Sequence, residues 1–385
     1  MKIVIDDRIP FIRGAFEPFA EVVYLPGAKT GADDVKDADA VITRTRTKCD
    51  ASLLEGSSVK IIATATIGYD HIDTEWCEGH GIEWTNAPGC NSWSVKQYIS
   101  AVLVTLARKH SLDLSRITLG VVGVGNVGSK VAEAAGILGC RVLLNDPPRA
   151  GKEGAEGFVD LDTIIRESDI ITLHVPLSPK ESRHGTWHLF DAARIESLRP
   201  DQILINSSRG PVVDNIALRK ALEDKKIKAA VLDVWENEPD IDRTLMSLLD
   251  ISTPHIAGYS ADGKANGTTM SVRAVAAKLG LPLTEWKAAG IPLPAQPLEF
   301  TLDAEGKSRQ EAFTEAILYT YPVTEDSERL RKDPDGFERQ RGEYPVRREP
   351  TAFTIKLLNG HSGIADALMQ LGFNVDNLYT NERII

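Results

Sequence analysis

The sequence is poor in cysteine, and its few thiols are scattered. Among 385 residues there are four cysteines, Cys49, Cys77, Cys90 and Cys140, and none of them forms a C-x-x-C pair. This spacing excludes a fold that depends on disulfide bonds for its stability, and it argues against a cysteine-ligated metal site. We therefore expect reduced thiols, a cytoplasmic location and no bound metal.

Long apolar runs and an excess of positive charge are also missing. No stretch is apolar for long enough to span a bilayer, and the opening residues MKIVIDDRIP do not form a signal-peptide pattern. The formal net charge of −11 argues against nucleic acid or an anionic membrane as the main partner. The composition, with 42% hydrophobic residues, is that of a chain with two or three globular domains.

A glycine motif stands near the middle of the chain, between two patterns typical of buried strands. The first strand pattern contains Val121 and Val122, and the second, RVLLN, ends at an acidic residue. Glycines in the order G-x-G-x-x-G allow a tight turn, the close approach of a pyrophosphate and the close packing of the following helix. The residues of this predicted dinucleotide site are Gly123, Gly125, Asn126, Val127, Gly128 and Asp146.

Asp146 indicates which dinucleotide binds. It stands 18 positions after Gly128, close to the ~20 expected for the residue that accepts the ribose hydroxyls. Because a carboxylate there repels a 2′-phosphate, the sequence predicts NAD rather than NADP. The alternative is an ordinary strand, turn and helix without a ligand.

Three residues whose side chains could take part in catalysis follow other predicted strands. Arg209 lies in SSRG, Glu238 in DVWENEP and His255 in TPHIAGY. An arginine can hold a carboxylate with two parallel hydrogen bonds, a histidine can accept a hydroxyl proton, and a carboxylate can orient that histidine. Each of them alone could equally have a structural role.

The order of these motifs resembles the D-isomer-specific 2-hydroxyacid dehydrogenases over about Met1 to Gly280. The resemblance implies that Arg209 binds the substrate carboxylate, that Glu238 partners the histidine, and that His255 is the acid/base. The resemblance also implies an NAD site with further contacts, in which Val175, standing where a threonine is usual, contributes only its backbone. These further residues are Val175, Ser207, Ser208, Asp233 and Gly258.

Alternating strand and helix patterns predict parallel sheets, and the resemblance completes the fold. We expect an α/β protein with two Rossmann-like, doubly wound parallel-sheet domains, a cleft between them, and a small C-terminal α+β domain. Residues 1–95 and 262–285 would form the substrate-binding domain and residues 96–261 the NAD-binding domain. Residues 286–385 resemble a dimerisation module, so a homodimer is expected.

A basic patch in the first domain suggests a phosphorylated substrate. Arg44, Arg46 and Lys48 follow a predicted strand, and strand alternation would place them on one face, with the threonines opposite. The alternative is a solvated basic turn. Several stretches, among them RTRTK and ATATIGYDHID, resemble family members that oxidise 4-phospho-D-erythronate in vitamin B6 synthesis. This likeness implies substrate contacts from Arg44, Thr45, Arg46, Thr66, Gly68 and Tyr259, with Thr45 in place of a serine.

Two other functions fit the same motifs. One is a different member of the family with a phosphorylated substrate and a C-terminal domain, such as 3-phosphoglycerate dehydrogenase. The other is an NAD-sensing binding protein on this fold, as in transcriptional corepressors. The acidic composition argues against the second.

Overall fold

The computed structural model describes residues 1–360 and 362–377. The chain divides into two compact units. The first unit comprises Met1–Asn91 and Tyr259–Leu293, and the second comprises Ser92–Gly258 and Pro294–Ile385. The C-terminal residues thus group with the unit that carries the glycine motif, and the three domain boundaries expected from the sequence stay a prediction.

The helices and strands of the described residues alternate along most of the chain. In chain order they are β1 (Lys2–Asp6), β2 (Glu21–Leu25), α1 (Ala32–Val35), β3 (Ala40–Thr43), α2 (Ala51–Leu54), β4 (Ile61–Thr64), α3 (Thr74–Gly79), β5 (Glu83–Thr85), α4 (Ser92–His110), β6 (Thr118–Val122), α5 (Asn126–Ile137), β7 (Arg141–Asn145), α6 (Pro147–Glu153), α7 (Leu161–Glu167), β8 (Ile170–Leu173), α8 (Ala192–Ser197), β9 (Ile203–Asn206), α9 (Asn215–Glu223), β10 (Ala229–Leu232), α10 (Arg243–Leu248), β11 (Ile251–Ser252), α11 (Ala261–Leu279), β12 (Glu299–Asp303), α12 (Arg309–Thr320), α13 (Val323–Lys332), α14 (Phe337–Gly342), β13 (Thr354–Leu358), α15 (Ser362–Gln370) and β14 (Asn374–Asn377).

The first unit is a five-stranded sheet in the order β2-β1-β3-β4-β5, with every pair parallel. Successive side chains of a strand point to opposite faces, so apolar runs supply two cores. Ile3 and Ile5 pack on one face against Val272 and Val275 of α11, and Val4 packs on the other face. The helix predicted to return to this unit is therefore part of its core.

The second unit is a six-stranded parallel sheet in the order β11-β10-β9-β8-β6-β7. The glycine motif follows β6, at the place where the strand order reverses between β7 and β8. In open parallel sheets, ligands bind beyond the carboxyl ends of the strands at such a switch point. The sheet topology therefore places the predicted cofactor residues where this fold binds ligands.

The C-terminal residues add a three-stranded parallel sheet, β12-β13-β14, and several helices. Helix α13 covers the edge strand β11, where the Ser252 N–H donates to Ser327 Oγ at 3.0 Å. Leu330 and Phe337 are buried in the same apolar core as the side chains of the six-stranded sheet. This region is therefore packed into the second unit.

The predicted fold class is confirmed, including the small sheet at the C-terminus. Strands β5, β11 and β14 and helices α13 and α14 were not predicted from the sequence patterns. The strand alternation predicted for RTRTK is also not found, because β3 ends at Thr43.

Candidate active site

The glycine turn connects β6 to α5 with the geometry that each glycine was expected to supply. Gly123 has φ +86°, and a Cβ on Gly128 would lie 1.9 Å from the carbonyl oxygen of Gly123. A Cβ on Gly125 would meet nothing within 4 Å. The first glycine therefore permits the turn, the third permits helix packing, and the second leaves an open approach.

The start of α5 suits an anion. Its N-cap is Gly125, which provides no side-chain cap, and Asn126 beside it is exposed. Uncapped N–H groups at a helix N-terminus, together with the helix dipole, bind phosphate groups well. Val127 is half-buried in the same turn.

Asp146 is held beside the glycine turn at the end of β7. One of its carboxylate oxygens accepts from the Val124 N–H at 2.8 Å, and the other caps α6 by accepting from the Arg149 N–H at 3.0 Å. Each carboxylate oxygen can accept a further hydrogen bond, so the half-buried group can still bind ribose hydroxyls. The neighbouring Arg149 is paired with Glu153 at 2.7 Å, and the carboxylate still disfavours a 2′-phosphate.

A buried asparagine shapes the SSRG turn after β9. Asn206 accepts from the N–H and hydroxyl of Ser208, at 3.0 and 2.8 Å, and donates to the Arg209 carbonyl at 2.9 Å. The Arg209 guanidinium donates to the Ser208 carbonyl at 2.9 Å. The Ser207 hydroxyl is buried and has no partner within the described residues, as expected of a group that awaits a ligand.

The SSRG turn lies against the loop after β10. A Cβ on Gly210 would lie 1.8 Å from the carbonyl oxygen of Trp235, so only glycine allows this approach. The structure thereby brings the loop of Arg209 into backbone contact with the loop of Glu238.

Glu238 and His255 form a hydrogen-bonded pair. His255 Nδ1 lies 2.8 Å from Glu238 Oε2, and the other carboxylate oxygen accepts from the Trp235 N–H at 2.9 Å. Burial raises the pKa of Glu238, but the bonds from His255 and Trp235 outweigh it, so its pKa lies below the ordinary value. Because Nδ1 is engaged, Nε2 is the ring nitrogen left to exchange a proton with substrate.

Asp233 holds the loop of His255 in place through several hydrogen bonds. Its buried carboxylate accepts from Thr253 Oγ1 at 2.6 Å and from the N–H groups of Ile256 and Ala257 at 2.8 and 2.9 Å. Its carbonyl accepts from the His255 N–H at 2.7 Å, and His255 has φ +56°. Burial raises the pKa of Asp233 against the opposing effect of these donors. A contact of Asp233 or Gly258 with NAD stays a prediction.

The end of β8 borders the glycine turn. A Cβ on Gly123 would approach the carbonyl of His174 to 2.6 Å and Val175 Cγ1 to 2.8 Å. His174 Nε2 lies 3.0 Å from Thr172 Oγ1, while burial lowers the pKa of His174 to about 3 and keeps its ring neutral. Val175 thus lies at the turn that was assigned to the cofactor.

The first unit carries the residues predicted to contact substrate. Arg44 is half-buried and donates to the Arg8 carbonyl at 3.2 Å, while Thr45 and Arg46 are exposed. The predicted alternation is wrong, because these residues follow the end of β3 as a loop in which Thr45 is exposed beside Arg46, while Thr47 is buried. Lys48 is paired with Asp50 at 2.6 Å.

The other predicted substrate residues of this unit lie in ordered loops. Thr66 Oγ1 donates to the Gly68 carbonyl at 2.9 Å and lies 2.9 Å from Thr64 Oγ1. Tyr259 is half-buried, with the Lys264 ammonium 4.8 Å from its ring centroid.

Sequence reasoning missed the side chains that hold these loops, namely Asn206, Trp235 and Arg347. Asn206 carried a usable signal, because it ends an otherwise apolar strand pattern. Arg347 lies in a strongly charged stretch where burial was not expected.

Comparisons with known proteins agree with this geometry. Residues 94–257 match the NAD-binding domain of the D-isomer-specific 2-hydroxyacid dehydrogenases, and residues 293–372 match a domain of unknown function. An erythronate-4-phosphate dehydrogenase of Bacteroides thetaiotaomicron is 50% identical over 356 residues, covering 92% of this chain and 99% of that protein. This chain belongs to the erythronate-4-phosphate dehydrogenases. Another member, from Chromohalobacter salexigens, is 41% identical over 381 residues, covering 97% and 99% of the two chains.

A solved structure supports the same assignment at the level of the larger family. D-lactate dehydrogenase of Aquifex aeolicus, crystallised with NAD and lactic acid, superposes with a TM-score of 0.61 at 27% identity. The match covers 73% of this erythronate-4-phosphate dehydrogenase family member and 96% of the lactate enzyme. The predicted family and NAD as cofactor are therefore confirmed.

The described residues offer few other kinds of site. None of their helices is long and apolar enough to cross a membrane. Nor do they bring three or more histidine, cysteine or acidic side chains together as a possible metal site. The four cysteines are buried and form no disulfide, and burial raises the pKa of Cys49 and Cys140 to about 12.

Proposed function

We propose that this protein oxidises 4-phospho-D-erythronate to 2-oxo-3-hydroxy-4-phosphobutanoate, with NAD as the oxidant, in pyridoxal phosphate biosynthesis. The observation that carries the proposal is the Glu238–His255 pair, held in the same unit as the glycine turn and Asp146. The pair leaves one imidazole nitrogen to accept a proton. The identity of the proposed substrate follows from membership of the erythronate-4-phosphate dehydrogenases.

The site residues fit bound NAD. The open side of Gly125, the uncapped start of α5 and the unpartnered hydroxyl of Ser207 would receive its phosphates and sugars, and Asp146 its adenosine ribose. When bound, NAD accepts the hydride that leaves C2 of the substrate.

His255 then has a defined part in the reaction. Its Nε2 takes the proton of the C2 hydroxyl while the C2–H bond breaks and the carbonyl forms, so the ring becomes an imidazolium. Glu238, hydrogen-bonded to Nδ1, fixes the tautomer and stabilises that charge. The same ring returns the proton in the reverse direction.

The remaining substrate contacts are proposals for recognition. Arg209 would hold the C1 carboxylate as a bidentate partner. Thr66 and Gly68 keep their predicted role as substrate contacts. Arg44 and Arg46 would bind the 4-phosphate, with the hydroxyls of Thr45 and Tyr259 as further donors. The exposure of Thr45 and Arg46 is compatible with binding an incoming anion.

The decisive experiment measures NADH formation by the purified protein with 4-phospho-D-erythronate and a carbonyl-trapping reagent that removes the oxo product. We expect strong preference for this substrate over 3-phosphoglycerate and unphosphorylated erythronate, and for NAD over NADP. A preference for 3-phosphoglycerate would overturn the substrate assignment. Tight NAD binding without turnover of any 2-hydroxy acid would favour a sensing role.

We also propose a homodimer formed through the C-terminal residues. The support is the resemblance of residues 286–385 to a dimerisation module. Light scattering coupled to gel filtration should give twice the chain mass of 42.0 kDa. A monomeric mass at micromolar concentration would overturn the proposal.

A cytoplasmic location is proposed on chemical grounds. Four buried cysteines that form no disulfide suit a reducing compartment. Thiol titration of the denatured protein, purified from cytoplasmic extract without reductant, should find all four free. Disulfides formed in the cell would contradict this location.

A further inference from the structure

An arginine of the C-terminal region is buried against the loop of the acid/base histidine. Arg347 is 4% exposed, and its Nη2 donates to the carbonyls of Ile256 at 3.2 Å and Ala257 at 2.6 Å. These are the two residues directly after His255.

The same two residues are bound through their N–H groups by Asp233. Its carboxylate accepts from the N–H groups of Ile256 and Ala257, at 2.8 and 2.9 Å. A negative group thus holds the N–H ends and a positive group holds the carbonyl ends of one short segment. We call this arrangement the loop clamp; it consists of Asp233, Arg347 and the segment between them.

Aromatic and acidic side chains fix the arginine in turn. The guanidinium carbon lies 4.4 Å from the ring centroid of Tyr321 and 5.7 Å from that of Tyr344. Both phenols donate to the buried carboxylate of Asp326, at 2.8 and 2.6 Å. Arg347 therefore has little freedom to move relative to α13 and the residues before it.

Burying this guanidinium costs more free energy than a purely structural contact requires. A buried charge loses its hydration, and Arg347 Nε has no partner within the described residues. Backbone carbonyls could be satisfied by a neutral donor. A rigid, planar guanidinium instead fixes the direction of both carbonyls at once, which also fixes the backbone leading to His255.

We propose that Arg347 is a positioning residue for His255, and that the C-terminal region completes the acid/base site of its own chain through the loop clamp. The inference rests on the proposed function, because His255 is taken as the acid/base. It gives the region matched to a domain of unknown function a part in the chemistry.

A positioning role predicts a particular kinetic pattern. A misplaced imidazole slows the chemical step, and a displacement of about 1 Å can cost ~10²-fold in rate. Of the residues predicted to contact NAD, the glycine turn and Asp146 lie outside the clamp, and a change at Arg347 leaves Asp233 itself in place. Loss of the clamp should therefore lower kcat far more than it raises the Kd for NAD.

The test compares Arg347→Met and Arg347→Lys in the full-length protein. We expect Arg347→Met to lower kcat by ~30- to 100-fold with the Kd for NAD changed by less than about threefold. Arg347→Lys keeps the charge and one donor, so it should recover part of that loss. Arg339→Met is the matched control, because Arg339 forms an exposed pair with Asp333 within the same region; its kcat should be unchanged.

A second control separates positioning from stability. Leu330→Ala removes a buried side chain of α13 without touching the clamp, so it should lower Tm and leave kcat nearly intact. A loss of kcat in Leu330→Ala equal to that in Arg347→Met would overturn the proposal. Wild-type kcat in Arg347→Met would also overturn it.

A readout that does not need turnover distinguishes failure of this inference from failure of the proposed function. The ring carbon resonance of His255, assigned by its loss in His255→Gln, should shift in Arg347→Met and stay in place in Arg339→Met. If the wild type were inactive with every 2-hydroxy acid, the proposed function would fail while this spectrum still tested the clamp. If the methionine variant folds, an unmoved resonance in Arg347→Met would overturn the proposal. If it does not fold, an unmoved resonance in Arg347→Lys would overturn it.

Discussion

The loops after β9, β10 and β11 in the second unit differ sharply from the basic loop after β3 in the first. In the former, Asn206, Trp235 and Asp233 are buried. The Asn206 amide donates to the Arg209 carbonyl, the Trp235 N–H donates to the Glu238 carboxylate, and the Asp233 carbonyl accepts from the His255 N–H. In the latter, Thr45 and Arg46 are exposed. The difference suggests a division in which the held loops perform the reaction and the exposed loop recognises the substrate.

This division has a physical basis. Chemistry requires reacting groups to stay within a fraction of an ångström, which buried hydrogen bonds provide. Recognition of a charged phosphate requires accessible cations. Leaving these cations in water until the substrate arrives avoids the free-energy cost of burying an unpaired charge. Substitutions in the held loops should therefore alter kcat, and those in the exposed loop should alter KM.

The largest effect is expected from His255→Gln. Glutamine can still bond to Glu238 but cannot accept the hydroxyl proton, so kcat should fall by ~10³-fold or more. NAD affinity, measured by calorimetry, should change by less than about twofold. A variant with kcat near the wild-type value would remove His255 from the reaction.

Arg209→Lys should have the next largest effect. Lysine keeps the charge but cannot form two parallel bonds to a carboxylate, so kcat/KM should fall by ~10²-fold, with part of the loss in kcat. Arg219→Lys serves as the matched control, because Arg219 of α9 pairs with Asp242 at 2.8 Å and is not among the predicted substrate contacts. Near-normal turnover in Arg209→Lys would refute the role proposed for Arg209.

Much of this unit could be predicted from the sequence because its signals are local. A buried parallel strand is an uninterrupted apolar run, and the glycine turn is a fixed spacing, so β6, β8, β9 and β10 were visible. The pairing of Glu238 with His255 came from family resemblance, since residues 17 positions apart in irregular loops give no periodic signal.

Helix α13 in the C-terminal region was missed for a different reason. Helix α13 buries Val323, Asp326, Ser327 and Leu330, which have helical spacing, yet two of these four are polar. Their burial depends on partners elsewhere in the chain, such as Tyr321 and the N–H of Ser252. Apolar periodicity therefore fails where a core is made of hydrogen-bonded polar groups.

The exposed loop provides the third prediction. Arg44→Ala should raise KM for 4-phospho-D-erythronate by about tenfold, with much less effect on unphosphorylated erythronate, because only the phosphate contact is lost. Lys48→Ala is the control, since Lys48 is already paired with Asp50. Equal effects of Arg44→Ala on both substrates would place the phosphate elsewhere.

The smallest effect concerns stability against pH. The pKa of Glu238 lies below its ordinary value because the bonds from His255 and the Trp235 N–H outweigh burial. A carboxyl whose pKa is lowered by folding stabilises the folded state above its ordinary pKa of about 4.3, and this contribution is lost as the pH falls through the folded value.

Glu238→Gln should consequently lower the free energy of unfolding by about 1 kcal/mol near neutral pH, and the wild-type and variant values should converge in acid. Denaturant unfolding at a series of pH values measures this difference. The surface pair of Lys48 and Asp50 offers the contrast, because Lys48→Met, at a side chain that is 82% exposed, should change stability much less than Glu238→Gln does. The stability difference between wild type and Glu238→Gln could instead stay constant down to pH values well below the ordinary glutamate pKa. In that case the carboxylate would not be held by its partners. The loops of the second unit would then not differ from the exposed loop in how firmly their charged groups are bound.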